Sequence, residues 1–418
     1  MSCSFYAIGD LIESAIGGGW GKECLQDGYT NQVAVIRGAV FPNIENGNYD
    51  DLPIRWEKDS KAAKATLRAG DIVLEISGGT NDRPTGRTIF ITPDLLAKYP
   101  CPIIPASFCR LIRPVDSING RFLYYWLQDM YAKGRTWGYQ NRSTGLSNFQ
   151  FKTFAESEIV RVPDTETQTR IANCLEVLDQ KRILNNRLND YLEQLLMTSQ
   201  RKISEVEALT SVRADEAFDI HIGKTPPRKE SEWFSPNSNN NVVWMSIKDM
   251  GCGDVYLMDS SEYLTQKAVA KHNMKLCKPG SVLLSFKLTI GRVGIVSKEM
   301  TTNEAIACFS SDDPRKLAYL YPLLKSYDYA SLGSTSSIAT AVNSKMIKSM
   351  LLRMPSTSVL DQFYEQTKPL YEMLQNKVKE NVSLTALRDV LLPKLMSGEI
   401  DVSKVDLTQL TNNHLADC

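Results

Sequence analysis

The sequence predicts a mixed α/β (α+β) fold in which a globular domain followed by a long helix occurs twice. The chain has 418 residues, 43% of them apolar and 23% charged, so it is too long for one ordinary core and suits two or three domains. A short apolar strand that ends in a proline lies within 148–166 and again within 340–358, and a long amphipathic pattern follows each copy. We therefore expect a pseudo-two-fold internal repeat.

The repeat divides the chain into four segments. Two of them, 1–163 and 207–355, are expected to be globular domains. The other two, 164–206 and 356–418, are expected to be long helices, the second followed by a short C-terminal return segment. Gly398 follows the last apolar position of the second helix and is expected to adopt the left-handed conformation that ends many helices.

Shorter patterns inside the two domains also match. "QVAVIRGAVF" at 32–41 is similar to "NVVWMSIKDM" at 241–250, and "LRAGDIVLEISGG" at 67–79 is similar to "LCKPGSVLLSFKL" at 276–288. The second pair combines a Gly-containing turn with the apolar run of a strand. These matches indicate that the two domains share a topology.

Other segments of the two domains have clear periodicity. Strands are predicted within 102–114 and 280–296, and amphipathic helices at 120–134 and 315–329. The first of these helices contains three consecutive aromatic residues, Tyr124, Tyr125 and Trp126. Their helical spacing favours positions in the core over a role in stacking on bases.

The two long segments have the 3-4 apolar spacing of amphipathic helices. About 40 residues at 1.5 Å each would make a rod roughly 60 Å long, which exceeds the flank of a domain of this size. The two helices are therefore expected to pack on each other, although each could instead cover only its own domain. The leucines singled out in the two helices are Leu178, Leu188, Leu192, Leu195, Leu384, Leu387 and Leu391.

Composition excludes several classes of protein. The chain contains no apolar run long enough for a membrane span and begins without the pattern of a secretory signal, so a cytoplasmic location is expected. Nine cysteines occur singly and only three histidines are present, so no metal site is predicted. The net charge is zero, but the two domains carry a slight excess of basic residues, which permits a nucleic-acid partner.

We find no catalytic constellation, and no catalytic residue is predicted. "GGGWGKE" at 17–23 lacks the spacing of a phosphate-binding P-loop. The chain's Pro-Pro pair, in "KTPPRK" at 224–229, lacks the flanking residues of a DNA-methyltransferase motif, and no acidic pair has the context of a metal-dependent nuclease. The chain is therefore expected not to be an enzyme.

Polar, Gly-rich loops recur at matching places in the two domains. Each mixes Lys or Arg with Ser, Thr or Asn, which suits contact with phosphates and with base edges. Solvated surface loops are the alternative interpretation. The loops are 14–23, 77–88, 140–148, 220–230, 285–294 and 331–340. The candidates for DNA contact are Trp20, Lys22, Thr80, Arg83, Arg87, Arg142, Ser143, Thr144, Lys224, Thr225, Arg228, Lys248, Lys287, Arg292, Ser334, Thr335 and Ser336.

Three motifs carry a resemblance that covers nearly the whole chain. "LRDVLLPKLMSGEI" at 387–400, "PDTETQTRIANCLEVLD" at 163–179 and "HIGKTPPRKESEW" at 221–233 resemble segments of the specificity (S) subunits of type I restriction–modification enzymes. The resemblance implies two target-recognition domains separated by two antiparallel spacer helices in a coiled coil. The first domain carries "GGGWGKE" in place of the opening motif usual in that family.

The resemblance also implies partners and a function. Such a subunit reads a bipartite target in double-stranded DNA and binds two methyltransferase (M) subunits and the restriction/motor (R) subunits. The resemblance assigns the docking of these partners to the two long helices and to the seven leucines named above. It would hold no cofactor itself, and S-adenosylmethionine, ATP and Mg would belong to the partners. The alternatives are a specificity subunit whose partner fuses methylase and nuclease, and a coiled-coil scaffold that does not bind DNA.

Overall fold

The chain folds into two compact units. A computed structural model describes residues 3–80, 82–141, 147–252, 254–332 and 342–405. Unit 1 consists of Met1–Asn186 and Ser383–Cys418, and unit 2 of Arg187–Val382. Within the described ranges, no helix is both long enough and apolar enough to cross a membrane.

Unit 1 contains the first twelve strands and the first five helices, and it shares the sixth helix with unit 2. The strands are β1 (Cys3–Ala7), β2 (Ile12–Gly17), β3 (Asn31–Ile36), β4 (Ile54–Glu57), β5 (Ile72–Glu75), β6 (Ser77–Gly79), β7 (Thr88–Phe90), β8 (Ile103–Pro105), β9 (Cys109–Pro114), β10 (Gln140–Asn141), β11 (Ser147–Phe149) and β12 (Ile159–Pro163). The helices are α1 (Phe41–Glu45), α2 (Asp59–Ala65), α3 (Pro93–Ala97), α4 (Gly120–Ala132), α5 (Phe151–Ser157) and α6 (Thr165–Val206).

Unit 2 contains the remaining strands and helices and shares the last helix with unit 1. The strands are β13 (Thr210–Arg213), β14 (Asp219–Ile222), β15 (Phe234–Ser235), β16 (Asn241–Met245), β17 (Tyr256–Leu257), β18 (Tyr263–Thr265), β19 (Val282–Ser285), β20 (Val293–Val296), β21 (Met300–Thr302), β22 (Ile306–Ser310) and β23 (Leu351–Met354). The helices are α7 (Ala214–Ala217), α8 (Gln266–Lys271), α9 (Pro314–Lys325), α10 (Ser344–Ser349) and α11 (Thr357–Ser397).

The sheets of the two units have the same plan, which confirms the predicted mixed α/β class and the internal repeat. In unit 1 the order β2-β9-β5-β7 forms an antiparallel sheet, and in unit 2 the order β14-β22-β19-β20 does so, with β17 added at its edge. A second sheet contains a parallel pair in each unit, β3 with β8 and β16 with β21. A two-stranded ribbon, β1 with β12 or β13 with β23, precedes each long helix.

In each unit, part of α6 and part of α11 lie in one apolar cluster. In unit 1, Leu175 of α6 and Leu392 of α11 are both buried in the cluster that also contains α4. The guanidinium of Arg388 in α11 lies 3.6 Å from the Asp179 carboxylate in α6. Asp179 comes four residues after Leu175, whereas Arg388 comes four residues before Leu392, so residue numbers rise along α6 as they fall along α11. The helices are thus antiparallel, and the prediction that they pack on each other is confirmed.

Unit 2 holds the other half of each helix. Leu192 and Leu196 of α6 share a buried cluster with Phe363, Leu374 and Val378 of α11, and the same cluster contains the core of the large sheet. The helices therefore also cover their own domains, so the two sequence interpretations are both partly correct.

Details of the helices agree with the sequence patterns. Tyr124, Tyr125 and Trp126 are all buried, which confirms their predicted place in the core. Gly398 has a φ of +78° directly after the last turn of α11. The Ile400 amide donates to the Lys394 carbonyl at 3.2 Å, so the left-handed residue turns the chain back over the helix end, as predicted.

Candidate nucleic-acid interface

Four loops of unit 2 converge at one end of its sheets. The Lys224 amide, in the loop after β14, donates to the Thr302 carbonyl at 2.9 Å. The Asn303 amide, between β21 and β22, donates to the Met245 carbonyl at 3.0 Å, at the end of β16. The Phe286 amide, in the β19–β20 hairpin, donates to the Ala305 carbonyl at 2.9 Å. The loops at 223–230, 246–252, 286–292 and 303–305 therefore form one surface, which we call loop face 2.

Loop face 2 carries two basic side chains that are open to solvent. Lys248 and Lys287 are exposed, and neither forms an ion pair or a side-chain hydrogen bond with the residues the structure describes. The Lys287 ammonium lies 5.8 Å from the centre of the Phe286 ring. Two ammonium groups on one convergent loop surface can each contact a DNA phosphate.

Other predicted residues of this face are held by the protein. The Lys224 ammonium donates to the carbonyls of His272 and Asn273, at 3.2 and 3.1 Å. The Arg292 guanidinium donates to the Ile247 carbonyl, which ties the β19–β20 hairpin to the loop after β16. The Thr225 hydroxyl donates to the Glu304 carboxylate.

Arg228 is partly occupied as well. Its guanidinium makes two hydrogen bonds of 2.9 Å to the Glu262 carboxylate. It also lies over the rings of Phe234 and Trp244, with its central carbon 4.4 and 4.6 Å from the ring centres. These contacts hold the guanidinium in one place, and its side chain is still 52% exposed. Arg228 is therefore held in position by Glu262 and the two rings. A DNA phosphate could contact its exposed part, or could replace Glu262 as its partner.

Unit 1 repeats the same convergence with the same hydrogen bonds. The Gly19 amide donates to the Pro105 carbonyl at 2.9 Å, as Lys224 does to Thr302. The Ala106 amide donates to the Ile36 carbonyl at 2.7 Å, and the Ile76 amide donates to the Phe108 carbonyl at 2.8 Å. The loops at 18–22, 37–40, 76–87 and 106–108 therefore form the equivalent surface, which we call loop face 1.

Arg83 and Arg87 of loop face 1 are both bound to Glu75, whose side chain is 4% exposed. Arg87 donates to the two Glu75 oxygens at 2.7 and 2.9 Å, and Arg83 donates to one of them at 2.8 Å. Arg87 also donates to the Gly38 carbonyl at 2.8 Å. Burial is the largest single influence on the Arg87 pKa and lowers it, but the hydrogen bonds to Glu75 and the charge interactions with Glu75, Tyr131 and Glu45 together outweigh burial and raise the pKa. Arg87 thus holds the hairpin against the loop after β3, as Arg292 does in unit 2.

The remaining candidates of unit 1 have mixed surroundings. The Arg55 guanidinium lies over the half-exposed Trp20 ring at 4.9 Å. The main chain of Lys22 pairs with Trp56, while its exposed ammonium lies 5.5 Å from the Tyr29 ring centre. Thr80 is exposed in the β6–β7 connection. Arg142, Ser143, Thr144, Ser334, Thr335 and Ser336 lie outside the residues that the structure describes, as does the return segment beyond residue 405.

Sequence reasoning missed three exposed residues on the loop faces. Arg37 directly follows β3 on loop face 1, at the position where Ser246 follows β16. Phe108 is 57% exposed in the β8–β9 connection, and Leu288 is 99% exposed at the tip of the β19–β20 hairpin with a φ of +61°. The match between segments 32–41 and 241–250 could have identified Arg37. Both segments extend beyond the end of their strand, so the match places Arg37 in the loop that follows β3, as Ser246 lies in the loop that follows β16.

The leucines assigned to partner docking separate into two groups. Leu178, Leu192 and Leu384 are buried inside the units, and the assignment of the seven leucines to partner docking stays a prediction. Leu188 and Leu391 are half-buried. Leu195 and Leu387 are 52% and 40% exposed. Exposed apolar side chains that the pattern did not single out are Leu184, Tyr191, Val382 and Val390.

Comparisons with known proteins indicate one family. Residues 5–194 match the family model described as "Type I restriction modification DNA specificity domain". The chain is 22% identical to the type I restriction enzyme HindI specificity subunit of Haemophilus influenzae, over 94% of this chain and 99% of that protein. It is 24% identical to the type I restriction enzyme MjaIX specificity subunit of Methanocaldococcus jannaschii, over 71% of this chain and 72% of that protein.

A solved structure shares the fold. The crystal structure of a type I restriction-modification system S subunit from M. genitalium matches with a TM-score of 0.50 and 14% sequence identity. The match covers 94% of this chain and 96% of the other. At this identity the similarity concerns the fold alone.

Proposed function

We propose that this chain is the non-catalytic subunit that reads the DNA target of a type I restriction–modification complex, because residues 5–194 match the specificity-domain family model and the chain is similar to two type I specificity subunits. The observation that carries the proposal is the pair of equivalent loop faces, one in each unit. The same set of main-chain hydrogen bonds builds both. Two equivalent faces built from different side chains suit a bipartite target, with one half-site read by each unit.

The proposal extends to partners and cofactors. Two methyltransferase subunits would dock on the exposed apolar residues of the long helices, and restriction/motor subunits would join the complex through them. S-adenosylmethionine, ATP and Mg would be bound by those partners, and this chain would supply the contacts to double-stranded DNA. The location in such a complex is the cytoplasm of a prokaryote.

Replacing Lys248 and Lys287 together with alanine tests whether loop face 2 contacts DNA. Binding of the complex reconstituted with methyltransferase subunits should weaken for all sequences alike. Affinity falls as the salt concentration rises, and each phosphate contact contributes about −0.9 to the slope of log affinity against log salt concentration. Losing two contacts should therefore make this slope shallower by about 2. Fluorescence anisotropy with cognate and unrelated duplexes over a range of salt concentrations measures both quantities.

The matched control replaces two exposed lysines of unit 2 that lie away from loop face 2. Lys267 is the second residue of α8, which follows Thr265, the partner of Asn241 at the start of β16, and Lys368 lies on α11. Changing both to alanine removes the same charge and should leave the salt slope unchanged. If the two double variants behaved identically, loop face 2 would not be the DNA-binding surface. If neither the parent complex nor its variants bound DNA at low salt, the chain would be a scaffold only.

Replacing Leu387 and Val390 with aspartate tests partner docking. The two side chains are 40% and 56% exposed, three residues apart on α11, so they share one face of the helix. Losing two apolar anchors and burying two carboxylates should weaken methyltransferase binding by more than about 30-fold, the effect of a hot spot of 2 kcal/mol. Co-purification and analytical ultracentrifugation measure it.

A control for docking makes the same chemical change away from the long helices. Leu25 is 60% exposed in a loop of unit 1, and aspartate there should leave assembly intact. The Leu387 and Val390 variant should keep its thermal unfolding temperature, since both side chains face solvent. Normal assembly of that variant would place the docking surface elsewhere.

A further inference from the structure

Unit 2 contains a buried cluster of three side chains that the DNA-binding proposal does not use. His221, Cys277 and Cys308 are all buried, and one ligand atom from each lies within 4.8 Å of the others. The Cys277 sulfur is 3.5 Å from His221 Nε2. His221 belongs to β14 and pairs with Cys308 on the neighbouring strand β22. Cys277 lies in the segment before β19. Three separate segments of the chain thus bring nitrogen and sulfur ligands to one point.

The equivalent place in unit 1 is apolar. Ile16 of β2 faces Leu111 of β9 in the same register in which His221 faces Cys308. The Leu67 amide donates to the Ile103 carbonyl at 2.9 Å, and the Cys277 amide makes the equivalent bond to the Met300 carbonyl at 2.7 Å. Ile16, Leu67 and Leu111 therefore occupy the positions of His221, Cys277 and Cys308.

The fold does not require the imidazole and the two thiols that unit 2 has at these positions. Apolar side chains fill these positions in unit 1, and Leu67 and Leu111 there are 3% and 0% exposed, so the architecture does not require an imidazole or a thiol. A buried cysteine alone behaves as a small apolar residue. A buried imidazole placed against two sulfurs is different, because a buried polar group costs free energy unless it has a strong partner.

We propose that His221, Cys277 and Cys308 bind one zinc-type divalent metal ion. Zinc bonds of about 2.3 Å to sulfur and about 2.0 Å to nitrogen place tetrahedral ligands roughly 3.5–4 Å apart. The 3.5 Å between the Cys277 sulfur and His221 Nε2 lies in this range, and all three ligand atoms lie within 4.8 Å of one another. Imidazole and thiolate ligands select zinc over magnesium or calcium, which prefer oxygen. Binding would release the two thiol protons, since each sulfur coordinates as a thiolate.

The surroundings supply a route for the ion and a fourth ligand. His221 and Ser281 line a surface cavity of about 1040 Å³, through which an ion and its water can reach the imidazole. A water molecule from this cavity can complete the tetrahedron. The ion would join β14, β22 and the turn before β19, and His221 lies two residues before Gly223, where loop face 2 begins. The site does not depend on DNA binding, so either proposal can fail without the other.

The positions of these residues along the chain do not predict a metal site, and none was expected. The ligands lie at positions 221, 277 and 308, without the short cysteine spacing by which zinc sites are recognised. Sheet register, rather than chain proximity, brings them together.

Cobalt titration of the full-length reduced chain tests the proposal. Cobalt(II) should bind with one equivalent per chain, produce the near-ultraviolet absorption of cobalt–thiolate bonds, and be displaced by zinc. Zinc should also raise the thermal unfolding temperature, whereas magnesium should not. A wild-type chain without cobalt–thiolate absorption would overturn the proposal.

Three variants complete the test. A triple variant, His221→Ile, Cys277→Leu and Cys308→Leu, installs the side chains of unit 1 at the equivalent positions, so it should fold and lose the cobalt absorption. Cys109→Ser changes a fully buried thiol of unit 1 and should keep it. If the triple variant folded and still showed the absorption, other thiols would be responsible and the assignment would be wrong. If the triple variant failed to fold, Cys308→Ser alone should abolish the absorption, and its persistence there would equally overturn the site.

Discussion

Replacing Glu75 with alanine should lower the free energy of unfolding of unit 1 by about 3–5 kcal/mol, because removing one partner of a buried ion pair leaves the opposite charge uncompensated. The Glu75 carboxylate accepts hydrogen bonds from both Arg83 and Arg87. The two arginine side chains are 34% and 22% exposed, so water relieves part of the cost and we expect the lower end of the range. Urea dependence of hydrogen exchange at the amides of β5 and β7 measures the change within unit 1.

Two further variants show whether the effect belongs to the ion pair. Glu57 is also buried, at 5% exposed, but its carboxylate accepts a hydrogen bond from the Lys58 amide and forms no ion pair with an arginine among the described residues. Alanine at Glu57 should therefore cost less. Adding Arg87→Ala to Glu75→Ala should cost less than the sum of the single changes, since the two groups interact. Additive costs, or a loss below about 1 kcal/mol for Glu75→Ala, would contradict a structural role for the pair.

Exchanging residues 187–382 for the corresponding unit of a relative with another target should change one half of the methylated DNA sequence and leave the other half unchanged. This exchange transfers all of the buried cluster that contains Leu192 and Leu196 of α6 and Phe363 and Leu374 of α11. Each mismatched base pair typically costs about 1–3 kcal/mol, so three altered positions would change preference by several orders of magnitude. Methylation mapping of the reconstituted complex reads both half-sites at once.

The boundaries of the exchange provide the control. Exchanging residues 207–355, the domain that the sequence pattern outlines, leaves Leu192, Leu196 and Phe363 of the original chain against a foreign core. Cores tolerate such mismatches poorly because they are closely packed. We expect the shorter chimera to change the same half-site but to unfold at a lower temperature. A change in both half-sites, or in neither, would refute the assignment of one half-site to each unit.

The sequence by itself determined the elements that depend on local pattern. Helical periodicity placed long helices within 164–206 and 356–418, and the structure contains Thr165–Val206 and Thr357–Ser397. Gly398 was identifiable because a left-handed residue at a helix end favours glycine. The internal repeat could be recognised because equivalent strands of the two units bury equivalent positions. Equivalent positions therefore carry apolar residues in both halves of the sequence.

Only the tertiary structure decided which side chains remain available for function. Periodicity could not distinguish Leu195, which is 52% exposed, from Leu196, which is fully buried, because neighbouring residues on a helix differ by only one step around its axis. Arg83 and Arg87 are polar residues in a glycine-rich loop, but a carboxylate from another strand occupies them. The meeting of His221, Cys277 and Cys308 depends on the register of β14 against β22, and register is set by long-range pairing that no local window contains.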